Sequence, residues 1–477
     1  MNINLIEEPQ LQFGSGEHID PRKGIQIFDT SDINEVRPER IVTGFVGKSE
    51  SVGKILSWFE KNQKTIPGPK KKVELRNLFP TFPGFNTNSA FKCHVKYDST
   101  YIRKINNSAF DEIMDTAKSI DDLIEKAVEL YITEIKYLSK NKNPDVIICV
   151  LDEKFTNIIY GNEAFVVKVE DDEEEDENDD LIDDLETNFR RLLKAKSMQF
   201  NIPIQLVRDR IITPSGEMQD EATIGWNFFT ALYYKSGGVP WAIKKKNDSV
   251  TCFAGISFYR SRDKKTIQTS VTQIFNENGK GVILRGSPIE QHKDDREPHL
   301  SKEQAYDLMI KSLNEYYEAM KIYPQRLVVH KSSNYSEGEI EGLKKAIREV
   351  NINALDLVTI MPTKLRLYNE GIYPPKRGTM LSLDDSTHLL YTRGFVDYYG
   401  TYPGRYIPNP IEVRLFTFDE SPEQICSEIL ALTKMNWNNT QFDRRYPITI
   451  DCSRKVGEIL KYIDEGEKPQ IKYSFYM

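Results

Sequence analysis

The sequence predicts an α/β protein in two parts, a compact α/β domain followed by an RNase H-like domain, with a β-containing lead-in before them. Three observations carry that prediction. Asp145–Leu151 (DVIICVL) is a continuous apolar, β-branched run, the pattern of a central parallel strand. Strands alternate with helices from about 145 to 240, which argues for a layered α/β domain. After 250 the rhythm changes to three consecutive strands, then helix, strand, helix, strand, the element order of an RNase H-like fold.

The elements follow in chain order. Residues 1–100 are rich in Pro, Gly and short β-like runs such as Ile41–Val46, with a loop at Pro67-Gly68-Pro69. From about Ser108 to Leu138 the pattern is helical, with Ile120, Leu123, Ala127, Tyr131, Ile135 and Leu138 three and four apart. Asn143-Pro144 ends it, and the strand Asp145–Leu151 follows. Beyond an acidic tract come a basic helix (Thr187–Met198), a strand (Ile202–Arg208) and a helix (Glu221–Lys235), with a linker or turn at 244–248. Val250–Tyr259 and Thr266–Phe275 flank the charged turn Arg260–Lys265 and read as a hairpin, with Gly281–Arg285 as a third strand. A capping box at Ser301 and Gln304 opens a helix over about 302–321. The strand Arg326–Val329, a helix capped by Ser336 and Glu339, and the strand Leu355–Ile360 come next. Late helices begin at Ser421-Pro422 and near Ser453.

A chain of 477 residues, 39% apolar and 29% charged, has room for two or three cores. No apolar run approaches the roughly 18 to 20 residues a membrane span needs. MNINLIEEPQ shows no basic-then-apolar export signal, and the five cysteines form no CxxC pair. A reducing cytoplasm is the expectation. The net charge of −8 is concentrated: 170–186 holds thirteen acids and no Lys or Arg, which leaves +5 for the rest. The tract reads as a solvated loop, and the body as mildly basic and able to meet a polyanion.

RNase H-like nucleases clamp two metal ions with carboxylates from the first strand, the fourth strand and a late helix, since such ions want hard oxygen ligands. Here Phe253-Ala254-Gly255-Ile256 is followed by Ser257, and Val328-Val329-His330-Lys331 by Ser332. A hydroxyl does not hold Mg²⁺ as a carboxylate does. Asp263, Glu290, Asp294 and Asp295 lie nearby in sequence but on turn-like segments.

Glu7–Gly14 (EEPQLQFG) with Ile19–Ile25 (IDPRKGI) resembles the lead-in of prokaryotic Argonautes. Phe253–Ser257, His330–Ser332 with Ser336-Glu337-Gly338-Glu339, and Met435-Asn436-Trp437-Asn438 resemble their PIWI domain. The resemblance covers essentially the whole chain, and its ordered set is more specific than any one motif. Its length resembles the short branch, which implies a lead-in (1–100), a MID domain (101–245) and a PIWI domain (246–477) lacking the catalytic tetrad. The late tetrad position then falls near Arg454, a cation where a carboxylate would be wanted.

The resemblance also implies a pocket for the guide's 5′-phosphate. Arg190 and Lys194, four apart, share a helix face. Gln205 follows in the next strand, and Lys235 stands before Gly237-Gly238. Arg190 takes a place where the family more often has an aromatic or His. In the family the C-terminal carboxylate shares a divalent metal with the guide phosphate, which assigns Mg²⁺ to Gln205 and Met477. Arg260, Arg262, Lys331, Arg393 and Arg405 are candidates to track a nucleic-acid backbone. The expected function is a guide-dependent sensor that binds guide RNA and complementary single-stranded DNA and signals to a separate APAZ-containing effector. That effector would be a sirtuin-like or TIR NADase or a nuclease, in defence against plasmids or phage, with oligomerisation on target binding as a further expectation. The alternative is a guided endonuclease with non-standard metal ligands.

Overall fold

Val146–Leu151 is buried at all six positions, as its uninterrupted apolar run requires when both faces of a parallel sheet are covered. The computed structural model describes residues 2–70, 75–159, 184–212, 219–244, 250–262, 266–274, 281–289, 297–368, 370–371, 373–402, 404, 407–441, 444–463 and 467–477. Val146–Leu151 pairs in parallel with Arg40–Lys48 on one side and Ile204–Arg208 on the other. His94–Lys96 and Ile102–Ile105 add to Arg40–Lys48, again in parallel. Helices Asn107–Thr116, Ile120–Asn141 and Asp184–Ser197 pack on one face, and Ser49–Asn62 and Glu221–Lys235 on the other.

The lead-in of residues 1–100 therefore supplies a central strand of this sheet, and a boundary at 100/101 cuts across its hydrogen bonds. The segment expected as one helix over 108–138 is two. The chain breaks at 117–119, and Ser119 caps the second helix by accepting from the Asp122 N–H.

The second sheet has the expected five strands along one side. Thr251–Arg260, Ile267–Ile274 and Gly281–Ile289 run antiparallel in sequence order. Arg326–Lys331 pairs in parallel with Thr251–Arg260, and Ala354–Pro362 in parallel with Arg326–Lys331. The sheet then continues through Ile411–Thr417, Thr387–Leu390, Thr379–Ser382 and the N-terminal strand Asn2–Leu5, so the lead-in also seals its far edge. Helices Lys302–Met320 and Glu337–Glu349 cover one face, and both predicted capping boxes form. Pro422–Leu432 and Ile448–Leu460 lie on the other. The last helix opens at Ile448 after Pro447, one turn earlier than the expected start near Ser453.

That last helix lies flat along the first strand of the sheet. A Cβ on Gly255 would sit 2.1 Å from the Thr449 carbonyl oxygen, and one on Gly457 would sit 2.8 Å from the Tyr259 ring; only glycine allows such approach. Eight helical rises of about 1.5 Å match four strand rises of about 3.3 Å, so Ser453 stands level with Ser257. No described helix is long and apolar enough to cross a membrane.

Candidate functional site

Arg190 and Lys194 lie one turn apart on Asp184–Ser197, and Gln205 sits in the neighbouring strand Ile204–Arg208. Both elements face a cavity of about 470 Å³ whose wall includes Arg190, Lys194, Gln205, Arg208, Arg210 and Met477. It opens beside Leu151 and Arg208, the carboxyl ends of two parallel strands, where α/β sheets place their ligands. Lys235 closes the site from behind: its Nζ donates to the Met477 main-chain oxygen at 3.0 Å and to the Ile204 carbonyl at 2.8 Å. Lys194 Nζ donates to the same Met477 oxygen and to the Tyr476 carbonyl at 3.1 Å. The fold thus gathers Arg190, Lys194, Gln205, Lys235 and Met477 in one place.

The electrostatics of the cavity are cationic. Lys194 and Lys235 are 1% and 4% exposed. Burial, with Arg190 and Lys235 close by, holds the Lys194 ammonium well below the usual lysine range. Burial and Arg190 likewise bring Lys235 down to about 7. Arg208, lowered to about 10 by burial and by Arg210, extends the cationic wall. Sequence reasoning passed over Arg208 and Arg210, although Arg208 ends the strand that carries Gln205 and Arg210 lies in the turn after it. Gln205 Nε2 donates to the Leu206 carbonyl at 3.0 Å, and its Oε1 is buried without a protein partner. A buried acceptor of that kind is either a cost or a ligand.

The tail that reaches this cavity spans the two sheets. Phe475, Tyr476 and Met477 are buried. Tyr476 donates to the Gln470 carbonyl, Gln470 donates to Asn201, and the Ile283 N–H donates to Ile471.

On the RNase H-like sheet, Gly255 pairs with His330 and Ile256 with Lys331, which sets Ser257 and Ser332 level on adjacent strands. Ser257 is 1% exposed, and Ser453, level with it on the last helix, is fully buried. Arg454, about 100° further round the helix, turns away, its guanidinium 4.5 Å from the Tyr446 ring. Among the described residues no three His, Cys, Asp or Glu side chains gather closely enough to hold a metal ion. Asp263, Glu290, Asp294 and Asp295 lie outside the described residues. His330 is buried against Thr449, Nδ1 to Oγ1 2.8 Å, and burial brings it down to about 3, so it is neutral.

The expected backbone-tracking set separates. Lys331 is fully buried, 2.7 Å from Glu339 and 2.7 Å from the Asn334 carbonyl, so it cannot reach a nucleic-acid backbone. A lysine at a strand end looks solvent-bound in sequence; here the capping Glu339 draws it inward. Arg262 pairs with Glu125 at 3.5 Å. Arg260 is exposed, Arg393 is partly buried, and Arg405 lies outside the described residues.

No protein-family model matches the chain. The Argonaute protein of Aquifex aeolicus (strain VF5) is 26% identical over 273 residues, covering 56% of this chain and 35% of that protein. Among solved structures, Clostridium butyricum Argonaute bound to a guide DNA and a 19-mer target DNA superposes over 99% of this chain and 54% of its own, with a TM-score of 0.67 at 15% identity. Drosophila Piwi does so over 99% and 56%, at 0.64 and 13%. Aquifex aeolicus Argonaute with externally bound siRNA does so over 99% and 56%, at 0.60 and 18%. The chain therefore has an Argonaute-like fold and spans about half the length of the solved proteins it matches.

Proposed function

We propose that this protein is a guide-dependent nucleic-acid sensor of the short Argonaute type, with the α/β sheet as MID and the nine-stranded sheet as PIWI. The observation that carries the reading is the convergence of Arg190, Lys194 and Gln205 on one cavity, with Lys235 behind it. Two buried ammonium groups surrounded by further cations are a standing cost to the fold, and a phosphate dianion would offset it. The solved neighbour that holds a guide DNA and a target DNA supports assigning the same class of ligand here. The guide is proposed to be a short 5′-phosphorylated RNA, and the target a complementary single-stranded DNA.

Gln205 Oε1, buried without a protein partner, suits a hard cation, and the Met477 main-chain oxygen would be shared between that cation and Lys194 and Lys235. Mg²⁺ held there would neutralise part of the guide phosphate. The chain's own residues do the rest: Lys194 and Lys235 orient Met477, and Arg190 closes the mouth of the pocket. Serines at 257, 332 and 453 support a protein that holds its target without cutting it. The chemistry is then assigned to a partner, an APAZ-containing effector of the sirtuin-like, TIR or nuclease type. The setting would be cytoplasmic defence against plasmids or phage, with oligomerisation on target binding.

The test is to end-label nucleic acid that co-purifies from a bacterial host, with and without phosphatase, for the wild type, Lys194→Ala and Gln205→Ala. A discrete population of short 5′-phosphorylated RNA, lost in the variants, is expected. Length-random nucleic acid unchanged in the variants, with an APAZ-containing effector co-expressed, would sink the pocket assignment. Metal-dependent cleavage of a guide-matched DNA by the purified chain would instead establish a guided endonuclease.

A further inference from the structure

The two edges of the nine-stranded sheet differ in how they are closed. At one, Gly281–Ile289 carries Pro288, and its Ile283 N–H donates to the Ile471 carbonyl of the C-terminal tail. At the other stands Asn2–Leu5, paired with Thr379–Ser382 on one side and, among the described residues, with no strand on the other. The Ile6 N–H donates to the Gly378 carbonyl at 2.9 Å. The two-residue period of an antiparallel ladder then puts the main-chain groups of Asn4 and Asn2 on that same side. It turns the N–H and C=O of Ile3 and Leu5 outward. Native edges are guarded by shortness, charge, proline or a bulge. This one is short, but it has no charged residue and no proline, and its register is unbroken.

The side chains repeat the opening. Ile3 is level with Leu381, and Leu381 with Leu389, so the three form one apolar row across the sheet. Leu389 is 1% exposed, Leu381 8% and Ile3 62%, with Leu5 on the same face at 58%. The row runs off the edge uncovered. On the opposite face Asn4 reaches the first turn of Pro422–Leu432, its Nδ2 3.4 Å from Glu423 Oε1. The Asn2 end of the strand is acidic: Asp384 and Asp385 follow Ser382 in the chain, and both are exposed, as is Glu423. Arg414, level with Thr387, is held by Glu412 and by Asn334 Oδ1 at 3.2 Å. Glu7, also exposed, stands beyond the other end.

An open edge bonds only an extended main chain, and the side chains above it select alternate residues of the incoming strand. A second copy is disfavoured by charge: two-fold pairing about Asn4 carries Glu7 of each copy past Asn2 of the other, towards its Glu423, and like charges so placed repel. We propose that Asn2–Leu5 receives a β-strand from a separate protein chain, an extended segment with aliphatic side chains on one face and lysine or arginine at its ends. Only the source of that strand, the effector chain, rests on the function proposed above.

The experiment measures binding of short labelled peptides to the purified full-length chain by fluorescence anisotropy. The peptides alternate valine and threonine and end in lysines or in glutamates. The lysine-ended peptide should bind the wild type roughly tenfold more tightly than the other, with the gap narrowing as salt is raised. Ile3→Pro and Leu5→Pro each remove an outward N–H and no inward one. Both should keep the thermal melting and guide affinity of the wild type and weaken the lysine-ended peptide by roughly tenfold. Asp385→Lys with Glu423→Lys should reverse the peptide preference. Binding unchanged in both proline variants, or no binding of either peptide, overturns the proposal and leaves the guide pocket standing. A wild type that sediments as a dimer, with Leu5→Pro a monomer, overturns it in favour of a second copy. A co-expressed APAZ-containing effector should be retained by the wild type and less by the proline variants; equal retention overturns the effector as the source of the strand.

Discussion

Lys194 and Lys331 are both buried to within 1% of complete enclosure, yet they belong to opposite kinds of site. Lys331 lies 2.7 Å from Glu339, whose carboxylate also accepts from the Leu300 and Ser336 N–H groups. That is a satisfied pair holding a helix start to a strand end. Lys194 has main-chain oxygens as hydrogen-bond partners and cations as charged neighbours. The fold tolerates both burials, the first with a carboxylate as partner and the second with main-chain oxygens. Burial of a lysine therefore says little until the sign of its surroundings is known.

The comparison breaks most readily at Lys331. Lys331→Met leaves Glu339 charged and enclosed, which should cost about 3–5 kcal/mol of stability. Chemical denaturation is the measure, and guide affinity per folded molecule should stay within about twofold. A loss of guide binding without a loss of stability would place Lys331 in the binding machinery after all.

Lys194→Met should do the reverse. Removing a cation from a cluster of cations relieves repulsion, which offsets the two carbonyl bonds lost, so stability should stay within about 1 kcal/mol. Affinity for a 5′-phosphorylated guide should fall about 100-fold, the loss of a charge-assisted contact of about 2–3 kcal/mol. Dephosphorylated guide should bind wild type and variant alike. Equal losses for both guides would show that Lys194 supports the fold rather than the phosphate.

These two lysines also mark what can be read in the chain. Ser301, Gln304, Ser336 and Glu339 announce their helices because a cap is made within four residues. The strand order around Thr251–Arg260 was legible because hairpins and short crossovers tie neighbours in sequence to neighbours in space. Arg190, Lys194, Gln205 and Lys235 were legible as a set through resemblance, and the fold brings them together. Arg40–Lys48 was not legible as a central strand, since its partner lies about 100 residues on and parallel pairing leaves no local mark. The N-terminal strand at the edge of the nine-stranded sheet escaped because its antiparallel partner, Thr379–Ser382, lies far along the chain, with no hairpin to announce the pairing. The inward turn of Lys331 and the outward turn of Arg454 depend on which side of a packed element each residue falls, and residue type does not set that.

The smallest effect concerns pH, and it bears on the cation cluster to which Lys194 belongs. Lys235 behaves as Lys194 does, its ammonium lowered to about 7 by burial and by Arg190. Unfolded, it would keep its proton to about 10.4. Between those values this lysine binds more protons unfolded than folded, so its own contribution to stability free of nucleic acid should rise with pH from about 7 to about 10.4. Lys235→Met should flatten that rise. Guide binding runs the other way, because a phosphate dianion wants the ammonium charged. The guide's second phosphate ionisation lies near about 6, so binding should be tightest between about 6 and 7 and weaken above. A guide without its 5′-phosphate should lose the acidic limb. Affinity measured from pH 5 to 9 with both guides decides the matter, since identical profiles would mean that no phosphate meets these lysines.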